Sequence, residues 1–116
     1  MASINITPKF NKKNLLEIIL KNNTSKNFIN IKLCFNLVYS IESIKEAIII
    51  KQIGRYYELT FGKESLLPNE TRTIILKLQT PRIGTYNLSC GPEGVFIIHK
   101  NEDHLELNLK PLRFEK

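Results

Sequence analysis

Tryptophan is absent from the 116 residues, methionine occurs once, and glycine and proline occur five times each. With so little glycine the chain holds no phosphate-cradling loop of the Walker or dinucleotide type, which needs several glycines at fixed spacing. The two cysteines, Cys34 and Cys90, and the two histidines, His99 and His104, cannot supply a four-ligand zinc site at these spacings. Both thiols are expected to be reduced: Cys34 falls in the polar phase of an alternating segment, whereas a cystine bridging two sheets points inward from both strands. No cofactor or metal is expected. A chain of this length can bury about 60% or more of its unfolded surface without such staples, so residues 1–116 are expected to form one domain. Long apolar runs are missing as well. The longest aliphatic run is Ala47 to Ile50, far short of the ~20 residues that span a bilayer. The opening Met1-Ala2-Ser3-Ile4-Asn5 lacks the basic-then-apolar run of a signal peptide, so a cytoplasmic protein without a membrane partner is the expectation.

Acidic residues are the scarcer charge. Seventeen Lys and Arg face eleven Asp and Glu, a net charge of +6 that invites nucleic-acid binding by phosphate neutralisation. Lysine is over-used together with asparagine and isoleucine, however, as an A/T-rich coding bias would produce, and the lysines are spread along the chain with no RNP-like or helix-turn-helix pattern. Nucleic acid is therefore not the expected partner. Asn-x-Ser/Thr triplets at Asn5, Asn22, Asn23, Asn69 and Asn87 are a chance consequence of the same asparagine richness.

What the chain does have is period-two alternation. From Ile29 every odd position is apolar or aromatic (Ile29, Ile31, Leu33, Phe35, Leu37, Tyr39, Ile41), and the even ones read Asn30, Lys32, Cys34, Asn36, Val38, Ser40, Glu42. Side chains alternate across a strand, so Phe28 to Ser43 predicts one long strand with its odd face on a core. At about 3.3 Å per residue it would be roughly 40 Å long, which predicts a bend or bulge near Val38.

Around it the chain reads as a succession of short strands. Ser3 to Thr7 alternates and stops at Pro8, which suits an edge. Leu15 to Lys21 is apolar and β-branched enough for a strand covered on both faces, and the turn formers Asn22 to Asn27 predict a hairpin between it and the long strand. Ser43 to Glu46 is the one candidate helical turn. Ala47 to Ile53, Arg55 to Phe61 and Thr71 to Thr80 follow as strands, broken by Gly54 and by the turn Leu67-Pro68-Asn69-Glu70. Thr85 to Ser89, Gly94 to His99 and His104 to Leu109 complete the set, with turns at Gly91-Pro92-Glu93-Gly94 and Asn101-Glu102-Asp103. The result is an all-β, immunoglobulin-like antiparallel β-sandwich of about 7 to 9 strands.

Catalytic constellations are not found. His99 and His104 flank a predicted hairpin with Glu102 and Asp103 at its turn, a setting that solvated turn residues explain. No strained nucleophile turn accompanies them, so a Ser-His-Asp arrangement has no footing. The densest polar–aromatic cluster is Gly54-Arg55-Tyr56-Tyr57-Glu58-Leu59. Parity sends Tyr57 and Leu59 to the core and leaves Tyr56 outside beside Arg55 and Glu58. Two readings stand: a packing pair with a surface ion pair, or a shallow site in which Arg55, Tyr56 and Glu58, with Tyr86, grip a sugar or a protein. A planar row of exposed aromatics for sugar stacking could draw only on Tyr56, Tyr86 and Tyr39.

The order of elements, with Asn22-Asn23-Thr24 between two strands, Ile53-Gly54-Arg55-Tyr56-Tyr57-Glu58-Leu59, and Leu66-Leu67-Pro68-Asn69-Glu70-Thr71-Arg72-Thr73 opening a strand, resembles the N-terminal domain of bacterial β-N-acetylhexosaminidases over nearly the whole chain. In that family the turn reads Leu-x-Pro-Gly-Glu, and here Asn69 stands for the glycine, a substitution that keeps access to the left-handed conformation. The resemblance implies an immunoglobulin-like accessory domain that is not itself an enzyme, packing on the catalytic domains of a glycoside hydrolase acting on N-acetylglucosamine-containing glycans, or contacting glycan. The catalytic Asp-Glu pair of that family lies in a barrel, so no catalytic residue transfers to this chain. Lys110 to Lys116 would then lead out of the domain. The alternative is a free-standing protein-interaction sandwich that uses an open sheet edge or the Tyr56 surface.

Overall fold

The computed structural model describes residues 4–11, 14–29, 31–61, 66–79, 92–98, 107–109 and 113–115, and among them every regular element is a β-strand. In chain order these are β1 (Ile4–Asn11), β2 (Leu15–Asn22), β3 (Lys32–Asn36), β4 (Ile41–Lys45), β5 (Ile48–Ile53), β6 (Tyr56–Thr60), β7 (Thr71–Leu78), β8 (Glu93–Ile98), β9 (Leu107–Leu109) and β10 (Arg113–Glu115). A six-stranded sheet is ordered β10-β1-β2-β7-β4, with β9 also on β1, and a four-stranded sheet is ordered β5-β6-β3-β8. Alternation decides what each sheet buries. Ile4, Ile6 and Phe10, then Leu16, Ile18 and Leu20, then Ile74, Leu76 and Leu78 project from one sheet onto Leu33, Phe35, Tyr57, Leu59 and Ile97 of the other, forming a single core. The outward residues of β2 are covered too: Leu15, Glu17 and Ile19 are half-buried, as the apolar character of this segment requires. The fold is therefore the all-β, immunoglobulin-like sandwich predicted from period-two alternation.

The predicted long strand is the first correction. Its odd residues Ile31, Leu33, Phe35 and Leu37 are buried as expected, but the chain leaves the four-stranded sheet after Asn36 and enters the six-stranded one at Ile41. The expected bend near Val38 is thus a change of sheet, the usual way a sandwich turns a corner. Two backbone bonds hold the crossing: Leu37 N donates to Arg55 O (2.9 Å) and Gln79 N to Ser40 O (2.8 Å).

Pairing overturns four further expectations. β2 pairs with β1 and β7 and β3 with β6 and β8, so Asn22 to Asn27 joins two sheets and is not a hairpin turn. β8 and β9 likewise lie in different sheets. Ser43 to Lys45 belongs to β4, not to a helical turn, and Glu46 crosses to β5 in the left-handed region at φ 71. β8 starts at Glu93, where three of its residues stand against two of β3 and Gly94 takes φ +60, so two residues assigned to a turn by composition form a bulge. The predicted strand Thr85 to Ser89 and the turn Asn101-Glu102-Asp103 lie outside the described residues.

Pro8 does not end the first strand or mark an edge. β1 runs through it to Asn11, keeping an unbroken ladder to β2 that includes Pro8↔Ile18. On its other side β9 pairs in parallel with Ile4 to Ile6 and β10 with Lys9 to Asn11. The interruption falls at Thr7 and Pro8, where a residue without an N–H cannot donate. Arg113 to Glu115, expected to lead out of the domain, is thus part of its sheet.

Asn22 is the one fully buried polar side chain among the described residues. Its Nδ2 donates to Lys26 O (2.8 Å) and Leu66 O (3.1 Å), and its Oδ1 accepts from Thr24 N (2.9 Å) and Thr24 Oγ1 (2.6 Å). Its backbone N donates to Glu70 O (3.0 Å) and its O accepts from Asn69 N (2.7 Å). The partner segment is the Leu67 to Glu70 turn, closed by Glu70 N to Leu67 O (3.0 Å), with Pro68 first and Asn69 at φ 64 second among its central residues, as a type II turn demands. Asparagine is here because it alone offers both donors and acceptor in that volume. Asn22→Ala, which strands several of these partners, is expected to cost about 2–4 kcal/mol of unfolding free energy in urea titration. Asn22→Asp, which keeps the acceptor but buries a charge, should be at least as damaging at neutral pH and partly recover in acid, as the carboxyl protonates.

Candidate functional site: the Tyr56 face

The residues singled out by sequence are placed by the β5–β6 hairpin. Ile53 and Tyr56 form its closing pair, and Gly54 and Arg55 make the loop. Gly54 has φ +57 at the first central position, as a type II′ turn needs, which matches the twist of the flanking strands. Tyr57 then points inward and is 2% exposed. Its ring stands against Phe35 at 6.0 Å, and its hydroxyl accepts from Gln52 Nε2 (3.2 Å) and donates to Tyr39 O (3.4 Å). Tyr39 itself packs edge-on to Phe10 at 6.2 Å and belongs with the core, so it does not extend a sugar-stacking row.

Tyr56, Glu58 and Thr60 point outward, as parity predicts. The Tyr56 hydroxyl donates to Glu58 Oε2 at 2.7 Å. The two residues are two apart on one strand face, so this bond requires the phenol to lie down along the strand. Cys34 is opposite Glu58 in the ladder and has Phe96 opposite it on the β8 side. It faces outward, as expected, yet it is fully buried, contrary to the expectation that this phase meets water. Side-chain cover on the outer face is the reason. Tyr56 hydrogen-bonds the thiol, and Cys34 Sγ also lies 3.9 Å from Lys32 O. Burial pushes the Cys34 thiol up, Glu58 adds to this, and Tyr56 and Lys32 offset only part of it. The Tyr56 phenol is raised above its ordinary range, chiefly by desolvation, then by its bonds to Glu58 and Cys34.

These shifts describe what the face can do. Neither a thiolate nor a phenolate forms at neutral pH, so the pair offers no nucleophile or base, and the best acceptor, Glu58, is engaged by Tyr56. Arg55 is exposed at the turn, and its guanidinium does not join Glu58, so the expected surface ion pair is replaced by the Tyr56–Glu58 bond. Tyr86, Cys90, His99 and His104 lie outside the described residues. No three His, Cys, Asp or Glu side chains converge on one point among the described residues. Sequence reasoning missed two features here. One is the burial of Cys34, which depends on cross-strand neighbours. The other is the exposure of Ile48 (58%), Ile50 (43%) and Ile53 (63%) on β5, for which the aliphatic run Ala47 to Ile50 was the available signal.

Two measurements test this geometry. Cys34 should react slowly with a disulfide reagent in the folded chain, Tyr56→Phe should leave the rate nearly unchanged because the ring remains, and Tyr56→Ala should raise it about tenfold or more. Because both folded-state groups hold their protons longer than unfolded ones, their contribution to stability is full below the ordinary thiol value of 9.0, starts to fall there and at the ordinary phenol value of 10.0, and is lost as pH rises through the higher folded-state values. Urea midpoints should therefore fall from about pH 9 upward, less steeply in a Cys34→Ala/Tyr56→Phe double variant.

No protein-family model matches the chain, and no curated protein matches it by sequence. Its fold does match solved structures. An exo β-N-acetylglucosaminidase of glycoside hydrolase family 20 from Vibrio harveyi, in complex with N-acetylglucosamine, superimposes with a TM-score of 0.75 over 99% of this chain at 13% identity. An inactive mutant of the Vibrio harveyi enzyme superimposes with a TM-score of 0.72 over the same share, again at 13% identity. The chain spans 19% of the length of each. It thus shares its fold with one part of these enzymes.

Proposed function

We propose that the chain is a non-catalytic N-terminal accessory domain of a β-N-acetylhexosaminidase acting on N-acetylglucosamine-containing glycans, and that it packs on the catalytic domains of that enzyme. The observation that carries this is the likeness of 99% of the chain to one fifth of a much longer glycosidase, at a TM-score of 0.75. It is supported by the chemistry of the Tyr56 face, where the thiol and phenol are held protonated and the carboxylate is occupied. In this role Arg55, Tyr56 and Glu58, with Tyr86, serve contact with the rest of the enzyme or with glycan. A second reading, a free-standing interaction module, is favoured by one observation, the apolar exposure of β5.

Reading the coding sequence beyond Lys116 and expressing the longer product separates the two. A frame that continues into a barrel, with hydrolysis of a chromogenic N-acetylglucosaminide that drops severalfold in activity or yield when residues 1–116 are deleted, is the expected result. A stop codon directly after Lys116, or a longer product indifferent to the deletion, overturns it.

A further inference from the structure

We propose that the β5 margin of the four-stranded sheet is a docking surface for a protein surface that is apolar and carries carboxylates. This deepens the accessory-domain reading and rests on it for the partner's identity, the domain that follows in the same enzyme. β5 pairs only with β6 among the described residues, and the ladder Ile48↔Thr60, Lys51↔Glu58, Ile53↔Tyr56 sets its outward residues beside the Tyr56 face. Ile48, Ile50 and Ile53 are 58%, 43% and 63% exposed, three of the five large hydrophobics so exposed among the described residues. A fourth, Val38, follows Leu37, whose N–H donates to Arg55 O beside the same hairpin turn. Isolated apolar residues on a surface need no explanation, but a contiguous set on one sheet margin marks an interaction site.

Charge narrows the occupant. Lys51 on β5 and Arg55 in the β5–β6 turn are exposed at this margin, neither forms a salt bridge among the described residues, and Glu58, opposite Lys51 in the ladder, accepts from Tyr56. The margin is therefore an apolar strip edged by Lys51 and Arg55, whose charged ends are held in no ion pair among the described residues, and the chain as a whole carries +6. A second copy would bring the same cations together and be repelled. An anionic lipid surface would meet the Glu58 carboxylate in the middle of the face, whereas a protein can place a donor there. Strand addition is also disfavoured, because the ladder shifts register between Ile49 and Lys51 and a bulge breaks the regular row of edge donors and acceptors. Docking is thus by side chains, with carboxylates set against Lys51 and Arg55 and apolar groups on Ile48 and Ile53.

The test uses the chain itself and two synthetic probes, a peptide of alternating valine and glutamate and its valine–lysine counterpart, with amide shifts read by NMR. The proposal expects shifts concentrated in Ile48 to Ile53 and at Arg55 with the glutamate peptide, at least tenfold weaker binding of the lysine peptide, and a similar loss in Ile48→Ser/Ile53→Ser. A Lys51→Glu/Arg55→Glu variant should reverse the preference. Shifts spread over the molecule, or a preference unmoved by the charge swap, overturn it. So does a dimer in sedimentation that Ile53→Lys dissolves, which gives the margin to a second copy, or binding to phosphatidylserine vesicles without binding to the glutamate peptide. These outcomes do not depend on a downstream barrel, so failure here leaves the accessory-domain reading standing, and a stop codon after Lys116 leaves the surface chemistry standing.

Discussion

The buried amide of Asn22 is the constraint on which this sandwich turns. One side chain at the end of β2 holds the Lys26 and Leu66 carbonyls and the Thr24 amide and hydroxyl, while its backbone holds Glu70 and Asn69. Phe28 and Leu66 then exchange backbone bonds of 3.1 and 2.8 Å immediately beyond it. The path out of β2, the path into β3 and the path into β7 all meet there. A buried polar group is costly unless every partner is supplied, and here they are, so the junction admits one arrangement of the chain. Arg72 reinforces it, with its guanidinium 3.3 Å from Glu70 and 5.4 Å from the centre of the Phe61 ring.

Because that junction sends β3 to the second sheet, the hairpin β5–β6 has a strand to pair with, and the outer face of that sheet comes into being. On it two kinds of surface lie side by side. The Tyr56–Glu58–Cys34 cluster is closed: its hydrogen bonds are satisfied internally and its thiol and phenol stay protonated. The β5 margin is open, apolar and basic. The sequence drew attention to the first through two adjacent tyrosines, while the second is the surface with unmet chemistry. Interior and margin also differ in what they tolerate, since truncating Phe35 or Tyr57 would leave a cavity costing about 3–5 kcal/mol, whereas polar changes at Ile48 or Ile53 remove only solvent-exposed apolar area.

Period-two alternation by itself determined the all-β class, the buried sets Ile31/Leu33/Phe35/Leu37 and Ile74/Leu76/Leu78, and the split of Tyr57 inward from Tyr56 outward. The left-handed Asn69 in the Leu67 to Glu70 turn was equally legible, because Pro68 and Asn69 constrain their own backbones. What only the tertiary structure decided was partnership: that 28–43 is divided between two sheets, that Asn22 to Asn27 is a crossing, that β1 passes through Pro8 into an inner position between β2 and the C-terminal strands, and that Cys34 is covered. The physical reason is one of range. Side-chain parity and turn propensity act over two to four residues and are written in each segment, whereas hydrogen-bond partnership joins residues as distant as Asn14 and Leu78, 64 positions apart, and nothing local distinguishes one apolar strand from another as a partner.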